Sequence, residues 1–578
     1  MSGKLRRIRQ SQNSSSPEGG LFVIITKFDS RHLLASVKLT GGNFQLMSSF
    51  PGYSKWEGRS KRFRITSANI EHILINWPDA DWGECEGHRQ KYHDMKEEEA
   101  QNIIGKSAPL PSDDPFPYKT QPYDHQRRAF HISRDKKSYA LFMEQGTGKT
   151  KVIIDTAAYL HSNGQLDTLI IIGPNGVHAN WVVNEIPKHM PEHVEYRMVA
   201  YSSNLTKKKK SDIDEVYDYV DGLRIIAINV EGFASSKAKL VLEGFLKLGR
   251  CMLVIDESSR IKTPSAKRTK YLIKTKAAYK RTMTGTPITK GVENLYSQFL
   301  FLDKDILGFD TYTTFKSRYC NIIKTDNGGE MIVGYRNEDE IAKKIEGHSF
   351  RVLKSECLDL PEKIYKKMPV ELSLKQRSMY DDLLDECMIE IEEGVMTVDL
   401  AIVKLLRLQQ IICGWFKPDE GKEVVPIEPA NSRIQALKAV LSDVEGKVII
   451  WARFIADLRL IKKTLPNSIL YSGDIEQANE FQDNDEVTYF IANPASAGLG
   501  LTLTAAETSV YYSNSFDLEH RMQSEDRNHR IGTKNNVNYI DLITAGTVDV
   551  KIVQALRSKK LVSDRILQDP YDFFMNYD

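Results

Sequence analysis

The segment Met143-Glu144-Gln145-Gly146-Thr147-Gly148-Lys149-Thr150 places two glycines, a lysine and a hydroxyl group in an order that suits phosphate binding. Gly146 and Gly148 let backbone N–H groups turn toward phosphate oxygens, and the helix expected to follow adds its positive N-terminus. Lys149 would then reach the β- and γ-phosphates of a nucleotide, and the Thr150 hydroxyl would ligate Mg²⁺. Met143 stands where this motif usually has its first glycine, so on this segment alone a glycine-rich strand–helix turn without a ligand remains an alternative.

Two carboxylates, Asp256 and Glu257, end the apolar run that starts at Met252. Asp256 at the strand tip would hold Mg²⁺, directly or through water, and Glu257 would polarise an attacking water. Acidic pairs at strand ends are common surface features, and in isolation that interpretation is favoured. Downstream of a phosphate-binding loop, the pair instead predicts the second half of a site that transfers a phosphoryl group to water.

Two arginines three residues apart, Arg527 and Arg530, share one face of a predicted helix. Placed across a cleft from the phosphate-binding loop, they would stabilise negative charge on the transferring phosphoryl group. Taken alone, such a pair is usually a solvated helix face, and His529 between them is expected to be structural. The three segments together predict one catalytic set: Lys149, Asp256, Glu257, Arg527 and Arg530.

These groups need rigid strands and helices to hold them, and the apolar pattern provides two such sets. From about 120 to 302, β-rich runs alternate with helical patterns, which is typical of a parallel α/β sheet; the runs lie at 139–143, 168–172, 223–228, 252–255 and 281–283. A second set between about 432 and 560 has runs at 447–451, 469–471, 488–491, 509–512 and 537–542. Between the sets lie a hairpin signal at 326–329 and a long helical pattern across 376–412. The predicted fold is α/β, with two parallel-sheet domains, helical insertions and a small N-terminal α/β module.

Composition excludes several classes of protein. The 578 residues carry 79 Lys+Arg against 77 Asp+Glu, and 41% are hydrophobic, which excludes a wholly disordered chain, a collagen-like chain and a uniformly cationic coat protein. No apolar run approaches the ~20 residues of a membrane helix, so no membrane partner is expected. The six cysteines lie far apart without a CxxC pair, which favours reduced thiols over a disulfide frame or a zinc site.

Charge is distributed unevenly along the N-terminal part of the chain. Residues 1–64 carry twelve Lys+Arg against three Asp+Glu, while residues 65–115 carry four against eleven. The near-zero total therefore hides a basic arm followed by an acidic stretch, and it does not argue against a nucleic-acid partner.

With its three chemical segments in this order, the chain resembles the Swi/Snf-type branch of the superfamily-two helicase-like ATPases. The resemblance spans about 120–560, and further motifs follow in the family's order: the Q motif at Pro122-Tyr123-Asp124-His125-Gln126, motif Ia from Gly173-Pro174 to Glu185, motif Ib around Asn229, motif II at 256–262, motif III at 284–288, motif V at 496–501 and motif VI at 523–532. Three residues depart from the family pattern: Ser259 replaces a His, Thr502 an Asn and Thr533 a Gln.

This resemblance implies two RecA-like lobes with ATP and Mg²⁺ between them and DNA across both. It implies that ATP contacts Gln126, which would read the adenine, the loop from Met143 to Thr150, Gly498 and Gln523. Thr150 and Asp256 would hold the metal. The family relationship also implies translocation on double-stranded DNA without ordinary strand separation, with Pro174 and Asn229 among the residues that contact the phosphate backbone.

Basic and aromatic residues interleave near the N-terminus, at Lys55, Trp56, Arg59, Arg62 and Arg64. That composition suits backbone contact combined with base stacking, so these residues are predicted to contact DNA. The alternative is that Trp56 and Phe63 are core residues of a small module and the basic side chains are solvated. Over about 40–80, this stretch also resembles the HARP module of annealing helicases, which recognises branched DNA junctions.

The predicted domain organisation follows from these patterns: a disordered basic tail at 1–20, a DNA-binding HARP-like α/β module at 21–100, a linker at 101–118, an ATP-binding RecA-like lobe 1 at 119–302, insertions and an inter-lobe connection at 303–431, a RecA-like lobe 2 at 432–560 and a C-terminal tail at 561–578.

The leading functional hypothesis is an ATP-driven double-stranded DNA translocase that remodels branched DNA by fork regression, annealing or branch migration. A second hypothesis is a translocase that displaces or remodels DNA-bound proteins. A third, of another class, is an ATP-switched nucleic-acid-binding protein with little turnover. Expected partners are double-stranded or branched DNA and replication or repair proteins. The chain is expected to act as a cytoplasmic monomer, in a prokaryotic nucleoid or a virus-infected cell.

Overall fold

The computed structural model describes residues 23–27, 32–37, 41–50, 54–58, 62–66, 69–107, 109–111, 114–175, 177–201, 206–288, 291–324, 330–392, 398–418, 424–427, 431–473, 475–497, 501–515, 517–530, 532–550, 552–553 and 556. They form two compact units: Met1–Ile103 with Asp303–Asn337, and Ile104–Leu302 with Glu338–Asp578. The predicted tails at 1–20 and 561–578 lie outside the described residues.

The described strands, numbered along the chain, are β1 Ile24–Lys27, β2 Leu33–Ser36, β3 Ser54–Glu57, β4 Arg62–Ile65, β5 Ser138–Met143, β6 Thr168–Gly173, β7 Tyr196–Ala200, β8 Leu223–Asn229, β9 Cys251–Asp256, β10 Tyr279–Met283, β11 Cys320–Lys324, β12 Glu330–Tyr335, β13 Ser349–Val352, β14 Lys363–Pro369, β15 Trp415–Phe416, β16 Val425–Pro426, β17 Lys447–Trp451, β18 Ser468–Leu470, β19 Tyr489–Ala492, β20 Ala506–Tyr511 and β21 Val537–Ile543.

The first unit contains a four-stranded antiparallel sheet in the order β1-β2-β4-β3. Its core includes Phe63 and Ile65 from β4, because alternate residues of that strand face inward. Helices Gly41–Ser49, Ile70–Asn76 and Glu86–Ser107 accompany the sheet.

Residues 303–337 belong to this same unit and contribute helices Lys304–Leu307 and Tyr312–Tyr319 and the antiparallel pair β11–β12. Lys91 forms an ion pair with Asp305, which joins the long helix to this segment. The predicted hairpin turn at 326–329 lies outside the described residues, although Lys324 and Glu330 on either side of it are paired.

Helix Glu86–Ser107 continues seven residues beyond position 100, into the predicted linker at 101–118, and its residues from Ile104 onward belong to the second unit. Its last turn is held because Arg128 donates to the Lys106 carbonyl at 3.0 Å and Lys106 donates to the Glu346 carbonyl at 2.5 Å. These contacts satisfy groups that a helix end otherwise leaves to water.

The second unit begins with a seven-stranded parallel sheet, which we call lobe 1, in the order β13-β5-β10-β9-β6-β8-β7. Its central strands are buried along their whole length, as parallel sheets covered by helices require. The accompanying helices are Asp124–Ser133, Lys149–Ser162, Val177–Asn180, Ile186–His189, Lys207–Asp218, Ser236–Phe245, Lys267–Ile273, Glu293–Leu302 and Glu338–Glu346.

A six-stranded parallel sheet, which we call lobe 2, has the order β14-β21-β20-β17-β19-β18. Its helices are Ser432–Ser442, Ile455–Thr464, Ile475–Asp483, Pro494–Ala497 and Leu518–Glu525. Before it, the predicted helical pattern at 376–412 forms Leu374–Glu392 and Val398–Ile412. The predicted α/β class with two parallel-sheet lobes is confirmed.

Three of the four edge strands of these two sheets were not revealed by the sequence pattern; the fourth, β18, matches the predicted run at 469–471. β7, β13 and β14 each lie at a sheet edge, and β13 and β14 come from the segment expected to hold insertions and the inter-lobe connection. β14 has no buried residue, so it lacks the apolar run used to recognise a strand. β13 lies beside β5 with Val352 opposite Met143, which places the residues after β13 next to the phosphate-binding loop.

Among the described residues, no helix is both long and apolar enough to span a bilayer.

Candidate nucleotide-hydrolysis site

The phosphate-binding loop joins β5 to helix Lys149–Ser162 in the strand–turn–helix context that the motif requires. Gly146 and Gly148 have φ angles of +80° and +89°, a region that side chains with a Cβ rarely adopt. A Cβ at Gly148 would also lie 2.1 Å from Nε2 of Gln126. The φ angle therefore favours glycine at position 148, and any larger residue would also have to displace the Gln126 amide from the loop.

Lys149 is buried, and its ammonium donates to the carbonyl oxygens of Met143 at 2.8 Å and Glu144 at 3.3 Å. Burial lowers its pKa, while the nearby carboxylates of Glu257 and Asp256 act in the opposite direction. The amine is thus fixed beneath the loop by backbone acceptors, as expected of a lysine that can exchange these acceptors for phosphate oxygens.

Gln126 packs against the loop rather than into an open pocket. Its Nε2 donates to the Thr147 carbonyl at 2.9 Å, and its Oε1 accepts from the Tyr123 backbone N–H at 3.1 Å. His125 donates to the same Thr147 carbonyl from Nε2 at 2.8 Å. The predicted Q motif therefore contacts the phosphate-binding loop, and the adenine-reading role of Gln126 stays a prediction.

Asp256 ends β9, where its carboxylate accepts from the Trp181 indole N–H at 2.7 Å and from the Glu257 backbone N–H at 2.9 Å. Burial raises its pKa, and the Trp181 hydrogen bond and Lys149 oppose that rise. Motif Ia thus orients a motif II carboxylate through Trp181, a contact that spacing along the sequence did not reveal.

Glu257 has a φ angle of +50°, which is strained for a residue with a Cβ. Its carboxylate accepts from Gln145 Nε2 at 3.2 Å and from the Thr284 hydroxyl at 3.0 Å. Burial raises the pKa of Glu257 to about 7, against the lowering effect of Lys149. A carboxylate with a pKa near neutrality, held by two donors, is suited to general-base work.

Arg527 reaches from lobe 2 to the phosphate-binding loop, where its guanidinium donates to Gln145 Oε1 at 2.7 Å. The amide of Gln145 also donates to Glu257. This one side chain therefore bridges Glu257, the predicted base, and Arg527, the arginine predicted to stabilise the transferring phosphoryl group. We call the three residues the Arg527–Gln145–Glu257 bridge. It was not foreseen, because the sequence assigned Gln145 only to ATP binding.

Both predicted arginines are held by motif V and face the same cavity. Arg527 and Arg530 each donate to the Leu501 carbonyl at 3.1 Å. The cavity measures about 130 Å³, and its lining includes the predicted groups from both lobes: Lys149, Thr150, Asp256, Glu257, Arg527 and Arg530. The structure therefore brings the five predicted catalytic residues together.

Ser259, where the family pattern has a histidine, still links motif II to motif VI. Its hydroxyl donates to Glu519 Oε1 at 2.7 Å, and the same oxygen accepts from Gln523 Nε2 at 3.1 Å. Lys262 lies 3.5 Å from the other Glu519 oxygen. Gln523 is fully buried and is not among the residues that line the cavity, and its contact with ATP stays a prediction.

Thr533 and Thr502, the other two departures, differ in their surroundings. The Thr533 hydroxyl donates to the Asn528 carbonyl at 2.8 Å and accepts from the Arg530 backbone N–H at 3.2 Å. It therefore stabilises the turn that carries Arg530. Thr502 is exposed.

The remaining predicted ATP contacts are divided between the loop and motif V. Met143 is a core residue of β5, and the Thr147 hydroxyl donates to the Glu144 carbonyl at 2.7 Å. The Glu144 carboxylate accepts from the Lys354 backbone N–H at 2.8 Å. Gly498 lies outside the described residues.

The two lobe 1 residues predicted to contact DNA, Pro174 and Asn229, differ in how exposed they are. Pro174 is buried and its carbonyl accepts from the His178 backbone N–H at 3.2 Å, whereas Asn229 is half-buried at the end of β8. The geometry leaves Pro174 little surface to offer a partner.

Most of the N-terminal residues predicted to contact DNA instead contact other residues of their own sheet. Trp56 is half-buried, and its ring centroid lies 5.1 Å from that of Phe63, so it packs on the core as the alternative interpretation held. Arg62 donates to the Thr26 hydroxyl at 3.1 Å, and Arg64 forms an ion pair with Glu57. Lys55 is exposed, and Arg59 lies outside the described residues.

The model of the SNF2-related domain family matches residues 93–414 of this chain. The chain belongs to that family. This confirms the class that the motifs predicted, a Swi/Snf-type helicase-like ATPase.

Curated relatives share about a quarter of their aligned residues with the chain. The DNA annealing helicase and endonuclease ZRANB3 of Bos taurus is 26% identical over 474 residues, which cover 78% of this chain and 40% of the relative. The putative ATP-dependent helicase/translocase YwqA of Bacillus subtilis is 25% identical over 446 residues, covering 74% and 46%. An uncharacterised ATP-dependent helicase of Mycoplasma genitalium is 25% identical, covering 75% and 40%. The chain thus spans less than half the length of these relatives.

Among solved structures, the SWI2/SNF2 ATPase core of Sulfolobus solfataricus in complex with double-stranded DNA matches with a TM-score of 0.37 and 23% identity, covering 81% of this chain and 97% of that one.

Proposed function

We propose that the chain is an ATP-driven double-stranded DNA translocase that hydrolyses ATP between its two lobes and remodels branched DNA. The observation that carries the proposal is the Arg527–Gln145–Glu257 bridge, which joins a lobe 2 arginine to the predicted base of lobe 1. A hydrolytic site divided between two lobes works only when they are closed, and this allows chemistry to be coupled to lobe movement.

Within this site, Lys149 would neutralise the β- and γ-phosphates, and Arg527 and Arg530 would stabilise charge on the transferring group. Glu257 would orient the attacking water and accept its proton. Thr284 keeps the Glu257 carboxylate in place through its hydroxyl at 3.0 Å. The burial of these groups increases the strength of their interactions with a charged ligand, since little water screens them.

The residues present fit Mg²⁺ as the accompanying ion. Thr150 and Asp256 both line the cavity that holds Lys149, and a hydroxyl with one carboxylate is the sparse protein donor set that Mg²⁺ accepts beside phosphate oxygens. When bound, Mg²⁺ would neutralise part of the negative charge of the phosphates. Trp181 orients Asp256 for this role through its indole N–H.

DNA is proposed as the track because the family resemblance implies contacts from motifs Ia, Ib and V to a phosphate backbone. One relative is also named a DNA annealing helicase. Contacts of this kind read phosphates rather than bases, so affinity would fall steeply with rising salt. The remodelling of branched DNA rests on the basic N-terminal segment and its resemblance to the HARP module.

The DNA preference can be tested by comparing ATPase stimulation by a fork with that by a linear duplex of equal length. The first compact unit includes residues 303–337, so deleting residues 1–100 would remove most of a unit and leave its remainder behind. Point variants are therefore the sharper probe. Lys55→Ala with Arg59→Ala should reduce the preference for forks, whereas Lys343→Ala, at an exposed lobe 1 position, should not.

An unchanged fork preference in the double variant would overturn the branched-DNA part of the proposal and leave the translocase part intact. Displacement of a bound roadblock protein from linear duplex, without any fork preference, would favour the translocase that remodels DNA-bound proteins. The ATP-switch hypothesis would be favoured if the wild type bound ATP and DNA without releasing phosphate.

A further inference from the structure

Lys354 lies at the boundary between the lobes, outside the sequence motifs described above. It follows β13, the lobe 1 edge strand that pairs with β5. Its backbone N–H donates to the Glu144 carboxylate at 2.8 Å, which fixes its main chain to the phosphate-binding loop. The residue is therefore anchored in lobe 1.

The side chain of Lys354 points across the cleft to lobe 2. Its ammonium forms an ion pair with Asp526 and donates to the His529 carbonyl at 2.7 Å. These two partners flank the first arginine of the motif VI turn at 526–530. Only 4% of Lys354 is exposed, so the pair is nearly screened from solvent.

This ammonium also lies close to the phosphate-binding loop. A Cβ built on Gly146 would be 3.4 Å from Lys354 Cε, 3.7 Å from Lys354 Nζ and 3.5 Å from Arg530 Cβ. Three residues therefore lie within a few ångströms of one another beside the phosphate-binding loop: Gly146 and Lys354 of lobe 1 and Arg530 of lobe 2.

Asp526 lines the cavity, so its carboxylate adds a negative charge to a site that is proposed to bind the phosphates of ATP. Burial by itself would raise the pKa of Asp526, but Lys354 and then Lys363 outweigh burial and lower it, which keeps the carboxylate ionised. Lys363 lies 3.8 Å from Asp526, further than a hydrogen bond, and is shared with Glu525 at 3.1 Å. Lys354 is thus the closest cation to Asp526 among the described contacts.

We propose that Lys354 is a positioning residue for hydrolysis. Its ion pair with Asp526, which we call the clasp, holds the motif VI turn against the phosphate-binding loop. The clasp thereby positions Arg527 and Arg530 at the phosphoryl group. The inference rests on the proposed ATPase function. Because the pair joins the two lobes, it forms when the cleft closes and breaks when the cleft opens. The lysine acts through the arginines and not on the nucleotide itself.

The first test is steady-state phosphate release from ATP by the full chain with duplex DNA. Lys354→Met should lower kcat at least about tenfold, but by less than the ~10³- to 10⁵-fold loss expected when an arginine finger is removed. The KM for ATP should change little. Asp526→Asn should lower kcat similarly, and the double variant no further than either single variant, because each breaks the same clasp. Lys354→Arg should recover much of the loss, and Lys343→Met is the matched exposed control.

A background lacking both arginines separates positioning from a general structural role. In Arg527→Ala/Arg530→Ala, adding Lys354→Met should leave the residual rate unchanged, since nothing remains for the clasp to place. A further drop by the same factor as in the wild type would overturn the proposal. So would a wild-type kcat in Asp526→Asn, because then Lys354 would only neutralise that carboxylate.

Inter-lobe distance tests the clasp without turnover, so its outcome is independent of the proposed function. Spin labels on Val220→Cys in lobe 1 and Ile455→Cys in lobe 2 use positions that are 75% and 66% exposed. Distance distributions measured by pulsed electron resonance should show a smaller closed population in Lys354→Met than in Lys343→Met. Identical distributions would overturn the clasp even if hydrolysis is confirmed, and a loss of closure in an inactive protein would support it.

Discussion

The pH dependence of hydrolysis should be governed by Glu257. Burial raises its pKa to about 7, and only the ionised carboxylate can accept a proton from water. With a pKa of about 7, the Glu257 carboxyl is ionised in roughly one-tenth of the molecules at pH 6 and in about nine-tenths of them at pH 8. The rate constant kcat/KM for ATP should therefore rise about tenfold between these two values and level off above pH 8.

The Thr284 hydroxyl provides a way to shift this profile in a known direction. Its hydrogen bond to Glu257 at 3.0 Å stabilises the charged carboxylate and lowers the pKa. Thr284→Val removes that donor while keeping the size of the side chain, so the pKa of Glu257 should rise and the acid limb should move to higher pH. Thr284→Ser retains the hydroxyl and is the matched control.

The assay is kcat/KM for ATP from pH 5.5 to 9 at constant ionic strength and saturating duplex DNA, with unfolding monitored at each pH. A flat profile between pH 6 and 8 would refute the assignment of Glu257 as the base. A downward shift in Thr284→Val would refute the direction derived from the hydrogen bond.

Three further predictions concern single contacts. Gln145→Leu removes the bridge between Arg527 and Glu257 and should lower kcat more than KM, measured by phosphate release; an unchanged kcat would contradict a role for the bridge. Ser259→Ala removes the 2.7 Å bond to Glu519 and should reduce stimulation by DNA more than the basal rate, whereas equal losses would argue against inter-lobe coupling through Ser259. Gly148→Ala places a Cβ 2.1 Å from Gln126 Nε2 at a φ of +89° and should abolish ATP binding in calorimetry; retained affinity would show that the loop tolerates the change.

The central strands of both sheets could be predicted because they are continuous apolar runs, as in β6 and β9. β7, β13 and β14 could not, since polar residues interrupt the apolar ones in each of these three edge strands. The missed strand β13 is also the one that carries Lys354 to the cleft, so the omission concealed a contact as well as an element.

The chemistry of the site was predictable where a residue type itself implies a role. Lys149, Asp256, Glu257, Arg527 and Arg530 were expected from their motifs and lie together. The contacts between motifs were not predictable, because they depend on how two lobes close. The bridge through Gln145 and the link from Ser259 to Glu519 each join residues separated by hundreds of positions.

Ser259 shows how a departure from a family pattern can be compatible with the same connection. A serine hydroxyl is shorter than a histidine ring, yet it donates to Glu519, whose longer side chain reaches from lobe 2. The sequence shows that serine replaces histidine at position 259, but only the structure shows that Glu519 accepts the hydrogen bond from Ser259.

The most direct test of the composite site is phosphate release from ATP in the presence of Mg²⁺, with and without duplex DNA, by the wild type, Glu257→Gln and Arg530→Ala. If the site is formed by both lobes, the wild type hydrolyses ATP and is stimulated by DNA, while both variants still bind ATP and release almost no phosphate. Wild-type protein that binds DNA but never releases phosphate, or an Arg530→Ala variant with the wild-type rate, would contradict it.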